Sequence, residues 1–150
     1  MVWGAISATG TGDLVKIHGI MDKKVYHNIL VRHAVPSGQH LIGNNFVFQD
    51  DNDPKLASNY CRNYVQRKAA GVLKIMEWPA QSPYLNPIEQ IWELMDRVIE
   101  KSCVTSKETL WLELKGCWEG INVDVLKKYI DSMPERCKAV IKAKGGHTKY

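Results

Sequence analysis

The apolar and polar positions of the chain predict strands at its start and helices at its end. "MVWGAIS" and "GDLVKIHG" are short runs with Val and Ile, and the glycine-rich "ATGTG" joins them, which predicts a β-hairpin. "MDKKVYHNILVRHAV" then carries Val25, Ile29, Leu30 and Val31 at mixed helical spacing. Asp22 is the expected N-cap of that helix and Pro36 its expected end. "GNNFVFQ" predicts a short buried strand opened by Gly43. Ala57, Tyr60, Cys61, Tyr64 and Val65 follow at helical spacing, and "VLKIMEW" predicts another strand, closed by Pro79.

"PAQSPYLNP" has three prolines in nine residues, so a defined loop is expected there. Beyond it the period is helical. Ile88, Ile91, Trp92, Met95 and Ile99 form one stripe, and Leu110, Trp111, Leu114, Cys117 and Trp118 a second. Two shorter helices are expected around residues 123–131 and 134–143. Strands first, a strand–helix–strand middle and helices last predict an α/β fold, a sheet with helices packed on it.

Two helix starts have a sequence signature. Asp53 precedes Pro54, and proline suits the first helical position because its missing N–H would be unpaired there anyway. Asp53 is therefore the expected N-cap of the helix after it. Asn86-Pro87-Ile88-Glu89 repeats the device, with Asn86 as cap and Glu89 placed to reach back as in a capping box. Asp50 and Asp51 are left at a strand end, one on each face because side chains alternate. Strand ends are where α/β sheets place ligands. A carboxylate there, facing another from a helix start, suits a hard divalent cation such as Mg²⁺. A solvated pair of acids is the alternative, and spacing does not decide between them.

Bulk composition narrows the setting. At 150 residues, 45% hydrophobic and 24% charged, the chain fits one globular domain. It has no apolar run of membrane-spanning length, and its N-terminus lacks the basic region of a signal peptide. Cys61, Cys103, Cys117 and Cys137 form no CxxC pair, which suggests ordinary thiols in a reduced intracellular protein. No HxxxH spacing suggests zinc. Net charge is +4, unevenly spread. Arg136, Lys138, Lys142, Lys144 and Lys149 lie in an acid-free C-terminal segment, while residues 1–135 hold 15 basic and 16 acidic groups. Such a tail suits nucleic-acid phosphates, or serves only as a solubilising terminus.

"VWGAIS", "FVFQDDNDPK" and above all "WPAQSPYLNPIEQIWELMDR" resemble the catalytic domain of mariner-superfamily, Tc-type DDE transposases, and "AVIKAKGGHTKY" resembles the end of such proteins. The resemblance runs over essentially the whole chain. It implies a ribonuclease H-like mixed sheet flanked by helices, two Mg²⁺ ions held by carboxylates, DNA as partner and the nucleus as location. One ion would activate the attacking water or 3′-hydroxyl and the other stabilise the leaving oxygen. The family's QDN motif carries over to Asp51, followed by Asn52, and the glutamate of NPIE to Glu89. Both are thereby catalytic residues and metal ligands, with Asp50 a neighbour. Arg136, Lys138, Lys142, Lys144 and Lys149 are the expected DNA-binding residues.

The sequence also departs from the family pattern. The resemblance sets the first aspartate of the triad on a strand ahead of the VWG segment, with which this chain begins. Residues 1–150 are therefore expected to form a partial catalytic domain lacking the first strand, and to be inactive by themselves. Asp13 opens a strand and Asp22 caps a helix, so neither stands in for that ligand. The interval from Asp51 to Glu89 is long, with the excess expected in the turn at 68–73. Tyr84 and Leu56 stand where Asp and His are usual. A nucleic-acid-binding remnant without catalysis, or a protein-interaction module, is the alternative function.

Overall fold

A computed structural model describes residues 1–50, 58–79 and 82–144. The chain forms two compact units, residues 1–81 and 82–150. In the first, β1 (Val2–Ser7) and β2 (Gly10–Lys16) make an antiparallel hairpin with an irregular register between Gly4 and Ile6. The turn is tighter than the "ATGTG" segment suggested, because Ser7 and Gly10 are already paired across it. The Ser7 hydroxyl lies 2.8 Å from that of Thr9, whose Oγ1 also donates to the Leu41 carbonyl at 2.8 Å.

Helix α1 (Lys23–Ile29) starts where Asp22 takes the Lys24 and Val25 amides at 2.9 and 2.8 Å. Pro36 does not end it. A π-helical turn, Leu30–Ala34, leads directly into α2 (Val35–Ile42), with Pro36 in the first turn of α2. A proline ring collides with the carbonyl four residues back and cannot donate to it. Here the preceding turn is widened, the Val35 amide donating to Leu30 five residues behind, and the chain continues as helix. Gly43, expected to open a strand, instead terminates α2 at φ 95°, a conformation that favours glycine.

Strand β3 (Phe46–Phe48) pairs in parallel with β4 (Leu73–Ile75), Phe46 opposite Leu73 and Phe48 opposite Ile75. Both are shorter than the apolar runs suggested, and β3 is buried on one side only, since Phe46 is buried and Val47 exposed. Between them lies α3 (Asn59–Lys68). Its cap is Ser58, whose hydroxyl accepts from the Cys61 amide at 3.4 Å; Asp53 lies outside the described residues. Tyr26, Leu30, Ala34, Val35, Phe46, Cys61, Val65 and Leu73 form the core of this unit. A side chain at Gly38 would run into the Phe46 ring, so the helix can approach β3 only through glycine. Among the described residues the strands pair two by two, one ladder antiparallel and one parallel.

The second unit is helical. A three-residue 3₁₀ turn, Pro83–Leu85, precedes α4 (Pro87–Ile99), α5 (Lys107–Glu119), α6 (Val123–Asp131) and α7 (Met133–Lys142). Ser106 and Thr109 form a capping box at the start of α5, and Asn122 caps α6 through the Asp124 amide at 2.8 Å. Ile91 and Met95 of α4, Trp118 of α5 and Leu126 of α6 are buried, and Trp92 stacks on Trp118 with ring centroids 5.2 Å apart.

Candidate active site

Glu89 is the third residue of α4, half-buried, where the positive end of the helix dipole favours a carboxylate. The turn before it is closed locally. The Leu85 amide donates to Ser82 at 3.1 Å and the Asn86 amide to Pro83 at 2.8 Å. Asn86 holds the N-cap position with extended backbone, but its side chain makes no cap hydrogen bond. Asn86 is thus the N-cap by position, as expected, but not through its side chain; the Glu89 amide donates at 3.2 Å to the main-chain carbonyl of Asn86.

Asp50 follows β3 and accepts from the buried Tyr26 hydroxyl at 2.7 Å, a contact that ties the strand end to α1. Asp51 lies outside the described residues, as do Asp53, Leu56 and Lys149. Asp13 sits 2.7 Å from His33 Nδ1, and Asp22 is occupied at the start of α1. Donation by the Val25 amide lowers the Asp22 pKa, with burial opposing it and the Lys24 amide and the Lys24 and Lys23 charges adding to the lowering. Among the described residues no three His, Cys, Asp or Glu side chains gather as a metal would need, so these residues alone do not make a metal centre. All four cysteines are free thiols.

The expected DNA-binding set divides. Arg136 is only 4% exposed. Its Nε donates to Ser132 Oγ at 2.9 Å and its Nη1 to the Tyr84 carbonyl at 3.3 Å. The guanidinium is thus used inside the fold and has little surface left for a phosphate. Lys138 is exposed and donates to Glu135 at 2.7 Å, and that hydrogen bond, with the carboxylate's charge, raises its pKa. Lys142 and Lys144 are exposed.

Sequence reasoning missed a second basic surface. Helix α3, "NYCRNYVQRK", has Arg62, Arg67 and Lys68 and no acid. Cys61 and Val65 face the core, while Asn59, Tyr60, Arg62, Asn63, Gln66 and Arg67 are exposed. Tyr60 also packs on the His27 ring, centroids 4.2 Å apart. The signal was available: basic and amide residues at helical spacing, opposite two apolar positions.

No protein-family model matches the chain. It is 42% identical over 150 residues to the transposable element Tcb1 transposase of Caenorhabditis briggsae, and 41% identical to the Tc1 transposase of Caenorhabditis elegans. Both matches cover 100% of this chain and 54% of the relative, so the chain spans about half the length of these curated relatives. Among solved structures it is similar to the Mos1 transposase catalytic domain with raltegravir and Mn, at a TM-score of 0.82 and 17% identity, covering 99% of this chain and 76% of that one. The Mos1 paired-end complex with the left transposon end matches at 0.80 and 18% identity, covering 97% and 43%. No helix among the described residues is long and apolar enough to cross a membrane. The chain is thus similar over its whole length to Tc1/mariner transposases, and its fold matches the ribonuclease H-like fold of the Mos1 transposase catalytic domain.

Proposed function

We propose that these residues form part of the catalytic domain of a DNA-cutting and DNA-joining transposase, acting in the nucleus, and that Asp51 and Glu89 are carboxylates its strand cleavage requires. The match to transposases along all 150 residues carries this reading. The Mos1 domain has been solved with Mg and with Mn, which supports a divalent cation as cofactor. Asp51 and Glu89 offer it hard oxygen ligands, and when bound it supplies charge stabilisation for phosphoryl transfer. The Mos1 complexes with transposon-end DNA support DNA as partner.

The test exchanges this chain for the matching 150 residues of the Tcb1 transposase and follows nicking of labelled transposon-end DNA in Mg²⁺. The hybrid is expected to cleave, and Asp51→Asn or Glu89→Gln to abolish cleavage while leaving the thermal transition in place. Full activity in either variant would remove that residue from the reaction. A second reading, a DNA-binding domain without catalysis, is favoured by the acid-free exposed face of α3. A folded hybrid that binds DNA and never nicks it would establish that reading instead.

A further inference from the structure

The turn that delivers Glu89 has one carbonyl committed to a distant helix. Ser82, Pro83 and Asn86 accept from amides within the turn or the first turn of α4. The Tyr84 carbonyl instead accepts from Arg136 Nη1 at 3.3 Å, across 52 positions of sequence. Nε of the same guanidinium donates to Ser132 Oγ at 2.9 Å, and that hydroxyl donates to the Tyr129 carbonyl at 2.6 Å. One series of hydrogen bonds therefore joins the end of α6, the start of α7 and the entrance to α4. Burying a cation is costly unless its N–H groups are used, so a guanidinium at this depth implies a strict geometric demand.

We propose that Arg136 is a positioning residue for Glu89: it fixes the turn from which α4 starts, and so the direction of the carboxylate in the first turn of that helix. The inference rests on the reading that Glu89 serves strand cleavage. Arginine suits the task because its rigid planar fork reaches Ser132 and Tyr84 together, whereas a lysine ammonium is a point charge on a flexible stem. Arg136→Lys and Ser132→Ala are the informative variants, since each loosens the clamp without emptying the site.

In the 150-residue chain, hydrogen exchange is expected to quicken at Leu85, Asn86 and Glu89 in both variants and to stay unchanged in the second half of α4. Loss of protection throughout residues 82–144 would make Arg136 a general packing residue and overturn the proposal. In the hybrid transposase, Arg136→Lys is expected to slow cleavage at saturating DNA by about a hundred-fold, the scale of a small misplacement of a reacting group. DNA affinity and its salt dependence should stay as they are. An unchanged rate at saturating DNA, with weakened DNA affinity, would return Arg136 to a role in binding phosphate, where the guanidinium fork is worth more than an ammonium. Full activity of Glu89→Gln would sink the reading of Glu89. An inactive Glu89→Gln beside a fully active Arg136→Lys would sink positioning alone.

Discussion

Arg136 and Lys138, two positions apart in one basic segment, have different fates. Lys138 is exposed and held by Glu135, whereas Arg136 is buried and donates to Ser132 and Tyr84. Charge counting treats them alike; only the packing of α7 on the turn at 83–85 separates them. Asp22 shows the opposite case, a role legible from its place before a helical run. Its carboxyl pKa is held below the ordinary value of 3.8, first by the Val25 amide. A carboxyl whose folded pKa is lowered adds stability above its unfolded pKa and loses it as pH falls through the folded one. Asp22→Ala should therefore lower the melting temperature at neutral pH, and the gap from the parent chain should shrink below about pH 4. Thermal melts across acid pH measure this, and a gap independent of pH would show that the charge on Asp22 contributes nothing.

At the scale of elements, periodicity located the helices better than punctuation did. The stripe from Ile88 to Ile99 is α4, and Ile91 and Met95 within it are buried. The second stripe is α5, with Trp118 at 2% exposure stacked on Trp92. Trp118→Ala should cost roughly 3–5 kcal/mol, a large share of a domain's stability, because it empties a large buried volume between two helices. Denaturant titration would read this as a shifted midpoint, and a cost below about 1 kcal/mol would mean the site collapses to fill the gap. Pro36 and Gly43 misled for a common reason. A proline marks a helix end only if the turn before it keeps α-geometry, and a glycine before a strand serves equally to close a helix. Neither choice is local.

At the scale of the whole molecule, the net charge of +4 matters less than where the exposed cations lie. Arg62 and Arg67 on α3, and separately Lys142 and Lys144 near the C-terminus, are exposed, whereas Arg136 is buried. Arg62→Ala with Arg67→Ala, and separately Lys142→Ala with Lys144→Ala, should each weaken binding to duplex DNA without changing sequence preference. The log–log salt slope should flatten by about 0.9 for each phosphate that the variant no longer neutralises. Fluorescence anisotropy across salt concentrations measures both; an unaltered slope for a pair would remove that surface from DNA binding. Deleting the whole tail is a poorer probe, because it also takes the clamp on the turn before Glu89.

The sequence by itself determined the order of elements, the strand–helix–strand middle, the helical end and the similarity to transposases. Periodic apolar positions and a long specific motif are properties of neighbouring residues, and they survive being read in one dimension. Tertiary structure alone decided that Asp50 is held by Tyr26, that the helix runs past Pro36, that Ser58 caps α3 and that Arg136 belongs to the interior. Each of these depends on a partner or a competing hydrogen bond that spacing along the chain does not specify. Whether a cation faces phosphate or a carbonyl is settled by which helix packs over it.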